Sequence, residues 1–158
     1  MKSILFVYGE GGHTAQMNRL APKIIENLKE KYEIVTLSDV KTQPAWSSKH
    51  YVTGEVRGKY SHKEIFTNSG PIKVISSLFG ISKNHKVQVV VTTGPGIGIF
   101  AALFFKIRGS KVVHVESWSR FETASLTGKV MYKLADKFYI QNNSLKKLYP
   151  KAIYSGVL

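Results

Sequence analysis

The chain lacks cysteine altogether and has no long apolar run at its amino terminus. The absence of cysteine excludes disulfides and thiolate metal sites and favours a reducing cytoplasm. Met1-Lys2-Ser3 leads directly into a strand pattern, so we expect no export signal. No two histidines have the spacing of metal ligands, and no carboxylates cluster with them. We therefore expect no metal ion and no other cofactor.

Acidic residues are also scarce, at 10 against 23 lysines and arginines, which gives a net charge of +13. This charge predicts an acidic partner such as phosphates, nucleic acid or an anionic membrane face. Only four of these residues are arginine, the side chain that nucleic-acid readers use for bidentate contacts, whereas scattered lysines suit a lipid surface. We expect an anionic membrane surface and no nucleic acid; the alternative is a basic surface that serves only solubility.

Strand-like and helix-like segments alternate along the 158 residues, a length that fits one domain, residues 1–158. Alternation of this kind predicts an α/β fold, a Rossmann-like parallel sheet with helices on both faces. The predicted strands are residues 4–8, 32–37, 50–57, 87–91, 111–116, 138–140 and 152–154. The predicted helices are residues 14–30, 71–83, 99–107, 125–134 and 144–148. The β-branched run 87–91 predicts a central strand buried on both faces.

Two of the predicted helices carry a complication. Pro22 lies inside the first one, where proline removes a backbone donor, so a kink or a break is expected there. The helix 99–107 is apolar on nearly every side but is shorter than the about 20 residues that span a bilayer. It is either a core helix or a helix that dips into a membrane face.

Three loops follow predicted strands and should meet at the carboxyl edge of the sheet, where ligands of such folds bind. They run from Gly9 to His13, from Thr93 to Gly98 and from Glu116 to Arg120. Glycines that open a helix leave backbone N–H groups for an anion, although they also serve tight strand-to-helix packing. Neither the dinucleotide fingerprint nor the phosphate-loop motif is met, which argues against a nucleotide triphosphatase.

Several side chains near these loops have alternative roles. His13 is either a proton acceptor for a sugar hydroxyl or a helix-capping residue, and His114 is expected in the core or an interface. Glu116 and Arg120 either pair with each other or contact a sugar hydroxyl and a phosphate. Asp39 either contacts a sugar hydroxyl or caps its loop. The aromatic rings of Trp118 and Phe121 face a lipid or a partner, or else pack in the core.

Taken together, these loops and the tail resemble the family of bacterial PssD-type capsule and exopolysaccharide proteins and the eukaryotic asparagine-linked glycosylation protein fourteen. The resemblance covers nearly the whole chain, and the combination of Gly-Gly-His-Thr with Glu-Ser-x-x-Arg makes it specific. The residues that carry it are Gly11-Gly12-His13-Thr14 with Met17, Thr93-Gly94-Pro95-Gly96, Val115-Glu116-Ser117 with Arg120, Thr127-Gly128-Lys129, Ala135-Asp136, Gln141, Tyr149-Pro150 and Tyr154.

This resemblance implies half of a GT-B glycosyltransferase, similar to the acceptor-binding domain of MurG. In the family the UDP-sugar is held mainly by a separate donor-binding chain, and 158 residues leave no room for that second domain. Eukaryotic members usually carry an amino-terminal membrane anchor, which we do not expect here. We expect a cytoplasmic protein, peripheral on the inner face of the cell membrane, that docks through its basic surface and helices near residues 71–83 or 97–107.

The implied function is to bind a polyprenyl-diphosphate-linked sugar acceptor and to recruit the donor-binding partner. Catalytic roles fall to His13 as the base, with Glu116 second. The acceptor or its diphosphate would contact Gly11, Gly12, Thr14, Thr93, Gly94, Gly96, Ser117 and Arg120. The alternative is a non-catalytic scaffold that enhances a membrane-associated glycosyltransferase.

Overall fold

A computed structural model describes residues 1–54 and 70–158. Its described strands form one parallel sheet in the order β3-β2-β1-β4-β5-β6-β7. The strands are β1 (Lys2–Tyr8), β2 (Glu33–Ser38), β3 (Lys49–Val52), β4 (Lys86–Gly94), β5 (Lys111–Val115), β6 (Lys137–Ile140) and β7 (Ile153–Tyr154). The helices are α1 (Gly12–Glu26), α2 (Gly70–Asn84), α3 (Ile97–Lys106) and α4 (Leu126–Leu134), followed by a 3-10 helix (Asn143–Lys147). The predicted fold class is confirmed.

Helices cover both faces of this sheet. One face packs against α1 through a cluster that includes Phe6, Met17 and Val91. The other face packs against α2, α3 and α4 around Leu78, Ala101 and Met131. Strand β4 lies between β1 and β5, so the β-branched run is central as predicted.

The ends of several elements differ from the predictions. Helix α1 begins at Gly12 and ends at Glu26 instead of spanning 14–30, and Pro22 does not break it. Strand β4 extends to Gly94 because Tyr8 of β1 pairs with Gly94, so this strand ends three residues later than the sequence predicts. The predicted strand 50–57 begins at Lys49 and is described only to Val52 as strand; residues 55–57 lie outside the described residues.

Helix α3 is a core helix on one face, where Ile97, Ala101 and Phe105 are buried. On its other side Leu103 is exposed. The segment predicted as a short helix at 144–148 is a 3-10 helix. Within residues 1–54 and 70–158, no helix combines the length and the apolar character needed to cross a bilayer.

Candidate functional site

The three predicted loops meet at the carboxyl edge of the sheet, at the start of α1. The ring of His13 bonds the carbonyl of Thr93, 80 residues away, at 2.8 Å. One turn further along α1, Gln16 Nε2 donates to the carbonyl of Glu116 at 3.2 Å. Helix α1 therefore joins the loop after β4 to the loop after β5, as the parallel topology predicts.

The first turn of α1 is open to solvent. Gly11 precedes the helix with a φ of 72°, a left-handed conformation that favours glycine, and no side chain of the described residues caps the helix. The first N–H groups of an α-helix have no partner within the helix. A Cβ on Gly12 would meet no atom within 4 Å, so a ligand can approach the backbone closely. This turn has the geometry and dipole of an anion site.

Thr14 has a local role in this turn. Its hydroxyl donates to the carbonyl of Gly9 at 2.7 Å, which closes the turn between β1 and α1. Asp39 lies at the same edge, with Oδ2 3.6 Å from where a Cβ on Gly9 would stand. In the loop after β2, Ser38 Oγ accepts the N–H of Val40 at 3.0 Å, and both roles of Asp39 stay predictions.

The tautomer of His13 follows from its hydrogen bond. A carbonyl oxygen only accepts, so Nδ1 carries the proton that it donates to Thr93, and in the neutral ring Nε2 is unprotonated. Burial lowers the pKa of His13, and the positive charge of Arg120 also acts to lower it, against opposing effects of the Thr93 bond, Glu116 and Asp39. The ring of His13 is therefore oriented and neutral near neutral pH, and its role as a base stays a prediction.

The second loop holds this histidine in place. Thr93 Oγ1 donates to the carbonyl of His13 at 3.3 Å. Gly94 has a φ of 86°, and a Cβ there would lie 3.3 Å from Cε1 of His13. The N–H of Gly94 already bonds Thr92 Oγ1 at 3.0 Å, and Gly96 caps α3, its carbonyl accepting from Ile99 at 3.0 Å. These residues support His13 and start α3, and their contact with an acceptor stays a prediction.

Glu116 is buried and its carboxylate is engaged by the protein. Oε1 accepts the N–H of Ser117 at 2.9 Å, and Oε2 accepts the hydroxyls of Ser125 and Tyr149 at 3.1 and 3.2 Å. A Cβ on Gly128 would lie only 1.9 Å from Oε2, so α4 approaches this carboxylate as only a glycine permits. The carboxylate thus ties the loop after β5 to the first turn of α4.

Arg120 makes no ion pair with Glu116 in the described part of the chain, so the proposed pairing is wrong. Its guanidinium donates instead to Thr123 Oγ1 at 3.2 Å. Asn142 fixes the main chain of this loop, because its Nδ2 donates to the carbonyls of Trp118 and Arg120 at 2.8 and 2.6 Å. The guanidinium acts on the pKa of His13, which places its charge at the same site.

Sequence reasoning missed Gln16 and Asn142. Gln16 is fully buried; it donates to main-chain carbonyls after β5 and accepts the N–H of Trp118 at 3.4 Å. Gln16 lies beside the apolar face of α1, and this position was the only sequence signal that its side chain is buried. Such amides have no sequence pattern of their own, because their partners are distant main-chain groups, about a hundred residues away for Gln16 and 24 and 22 residues away for Asn142.

The aromatic residues of the third loop lie outside the core. The guanidinium of Arg19 stacks on Trp118, 5.0 Å from the ring centre, and Phe121 is exposed. His114, in contrast, is buried as predicted, 5.1 Å from the ring of Phe138. Burial lowers the pKa of His114 to about 3. Across residues 1–54 and 70–158, no three side chains of the metal-binding types come together as ligands.

Comparisons with known proteins agree with the resemblance of these loops. The family model described as oligosaccharide biosynthesis protein Alg14 like matches residues 4–158. The UDP-N-acetylglucosamine transferase subunit ALG14 of Rattus norvegicus is 29% identical over 97% of this chain and 81% of its own. The protein of the same name from Candida glabrata is 32% identical over 98% of this chain and 77% of its own.

Among solved structures, MurG of Acinetobacter baumannii has a similar fold. The TM-score is 0.66 at 15% identity, over 99% of this chain and 46% of the MurG chain. The likeness concerns the fold alone, since the identity is low. This chain therefore corresponds to about half of that protein's length.

Proposed function

The chain belongs to the Alg14 family of oligosaccharide biosynthesis proteins, and from this premise we propose that it is the acceptor-binding subunit of a two-component UDP-sugar glycosyltransferase. Its acceptor is a polyprenyl-diphosphate-linked sugar, used in lipid-linked oligosaccharide or in capsular and exopolysaccharide synthesis. Two relatives are named UDP-N-acetylglucosamine transferase subunits, which supports N-acetylglucosamine as the transferred sugar.

The observation that carries this proposal is the position of His13 on an uncapped helix start. The N–H groups of Gly11 and Gly12 face the acceptor diphosphate, and Arg120 neutralises part of its charge. Nε2 of His13 takes the proton of the attacking sugar hydroxyl. The hydroxyl oxygen then bonds the anomeric carbon, and UDP leaves with the electron pair of the broken bond.

Glu116 was the second candidate for the base. Its oxygens already accept hydrogen bonds from the main chain and from two hydroxyls, so a positioning role suits it better. It holds the loop that carries Ser117 and Arg120 against α4. Because that loop also contacts Gln16 of α1, loss of the carboxylate would disturb the placement of His13 indirectly.

The donor sugar is held by a partner chain. This chain corresponds to about half of a MurG-like molecule, which supports a second half that binds the UDP-sugar and completes the active site. The site faces the carboxyl edge of the sheet, where a second Rossmann-like domain would close over it.

Membrane association at the cytoplasmic face is supported by the outer faces of α2 and α3. Ile72, Phe79 and Ile107 are exposed there, the last at 83%. Arg108 lies among them, its guanidinium 3.7 Å from the ring centre of Phe104. Exposed apolar side chains with basic neighbours suit a peripheral contact with anionic lipid.

Reconstitution with the donor-binding partner tests the proposal. The partner alone should transfer no sugar from UDP-N-acetylglucosamine to a polyprenyl-diphosphate-linked acceptor, whereas the pair should be active. We expect His13→Ala to lower kcat by roughly a hundredfold or more. In the wild type, kcat/KM should fall in acid with a midpoint below about 6.5, since burial lowers the pKa of His13.

A matched control is His85→Ala, at the amino end of the sheet, where the ring contacts Glu33 and Tyr51. At assay temperatures well below its unfolding temperature, this variant should transfer sugar at the wild-type rate. Full activity of the partner alone would favour the scaffold alternative. Transfer by His13→Ala at the wild-type rate would remove His13 as the base.

A further inference from the structure

An apolar groove runs between α3, α4 and the 3-10 helix. It is open to solvent, has a volume of about 560 Å³ and is lined by Leu103, Val130, Leu134, Leu148 and the rings of Tyr132 and Tyr149. The lining found in the described chain also includes Lys129 and Lys133, both exposed, and no acidic residue. The groove therefore combines an apolar floor with a positive rim.

An apolar stripe leads from the candidate site into this groove. Leu126, Val130 and Leu134 are four residues apart on α4, so they lie on one face of the helix. The stripe spans about 12 Å along the helix axis. Leu126 begins it at 78% exposure, directly after Ser125, whose hydroxyl contacts Glu116.

Tyr149 provides a second connection between the groove and the site, in addition to the stripe on α4. Its ring lines the groove, while its hydroxyl donates to Glu116 Oε2 at 3.2 Å. A molecule bound in the groove thus lies against the same network that positions the loop of Arg120. Tyr149 therefore links the groove to the acceptor side of the site.

The tyrosine hydroxyls of the groove are already used by the protein. Tyr132 Oη accepts the N–H of Lys151 at 2.9 Å, and Tyr149 Oη bonds Glu116. An extended peptide segment laid here would leave main-chain polar groups without partners, which is costly. A hydrocarbon chain has no such groups, so the lining favours a hydrocarbon occupant.

We propose that this groove binds the first isoprene units of the acceptor lipid, with the diphosphate at the start of α1 and Lys129 and Lys133 beside the path of the chain. The inference rests on the proposed function, because it takes the diphosphate site as the anchor. It adds a site for the lipid portion of the acceptor, so the chain selects its acceptor by hydrocarbon as well as by charge.

Equilibrium dialysis of the full chain with four probes tests this site: inorganic diphosphate, dimethylallyl diphosphate, farnesyl diphosphate and geranylgeranyl diphosphate. Affinity should rise about tenfold or more from the shortest to the longest isoprenoid. Val130→Gln should lower the affinity for geranylgeranyl diphosphate about tenfold and should leave the affinity for inorganic diphosphate within about twofold of the wild-type value. The matched control is Val52→Gln on β3, because Val52 is 47% exposed and Val130 is 38% exposed.

The pattern of binding across the probes tells failure of the groove from failure of the anion site. If inorganic diphosphate binds and added isoprene units gain no affinity, the groove assignment is overturned while the anion site stands. If no probe binds, the anion site fails and the groove assignment with it. Equal losses in Val130→Gln and Val52→Gln would overturn the groove assignment as well.

Vesicles of phosphatidylcholine and phosphatidylglycerol, without any isoprenoid, distinguish an acyl chain from the acceptor lipid. Val130→Gln should bind these vesicles as the wild type does. A loss of vesicle binding equal to its loss of geranylgeranyl diphosphate binding would make this face a bilayer contact and overturn the assignment.

Discussion

Replacing His114 with leucine should stabilise the protein. The ring is 1% exposed, and neither of its nitrogens has a hydrogen-bond partner in the described chain. A buried polar group without a partner costs about 1–3 kcal/mol. Leucine has a similar volume and no polar atom, so His114→Leu should raise the free energy of unfolding by about that amount at pH 7.

The stabilisation should grow in acid. The folded-state pKa of His114 is about 3, whereas an unfolded histidine has a pKa near 6.5. Below pH 6.5, His114 therefore binds a proton in the unfolded chain but not in the folded chain, so the free energy of unfolding of the wild type falls as the pH falls. Linkage gives a loss of about 2 kcal/mol between pH 7 and pH 5. The advantage of the leucine variant should thus increase to about 3–5 kcal/mol at pH 5.

Urea unfolding followed by tryptophan fluorescence at pH 7 and pH 5 measures both quantities. The matched control is His50→Leu, because the ring of His50 bonds Thr36 Oγ1 at 2.7 Å and the carbonyl of Val40 at 2.8 Å. There the same substitution removes satisfied hydrogen bonds and should destabilise. Parallel pH dependences of His114→Leu and the wild type would refute the reasoning, as would a less stable leucine variant at both pH values.

Alanine should lower stability at one glycine and acceptor binding at another. Gly128→Ala places a Cβ 1.9 Å from Glu116 Oε2, so we expect a loss of about 1–3 kcal/mol in the free energy of unfolding and a lower Tm; an unchanged Tm would contradict this contact. A Cβ on Gly12 would meet no described atom within 4 Å, so Gly12→Ala should keep the wild-type Tm but raise the KM for the acceptor. The control is Gly80→Ala in α2, where a Cβ also meets no described atom, and this variant should leave KM unchanged. Equal KM values in both variants would argue against a ligand at Gly12.

Much of the fold could be predicted from the sequence. The β-branched run ending at Val91 indicated a central strand, and alternation of elements indicated a parallel sheet. These signals work because burial on both faces of a strand requires a continuous apolar run, and burial on one face of a helix imposes a local period. Element ends were less accurate, since Thr92 to Gly94 look like a turn but pair with β1.

The candidate site was predictable only in outline. Parallel topology brings the loops after β1, β4 and β5 to one edge, and the structure places His13 next to Thr93 there. The role of each side chain was not predictable. Glu116 looked free to act as a base, yet its carboxylate is held by Ser125 and Tyr149, nine and 33 residues further along the chain.

The sequence by itself determined the order of strands and helices, the basic character, and the glycine-rich turns at the ends of three strands. Only the tertiary structure decided the tautomer of His13, the burial of Glu116 and the groove along α4. It also decided that the ring of His114 has no hydrogen-bond partner among residues 1–54 and 70–158. The reason is physical. Periodicity reports the environment of a face, whereas a hydrogen bond or a cavity depends on which distant residues the packed chain brings within about 3–4 Å.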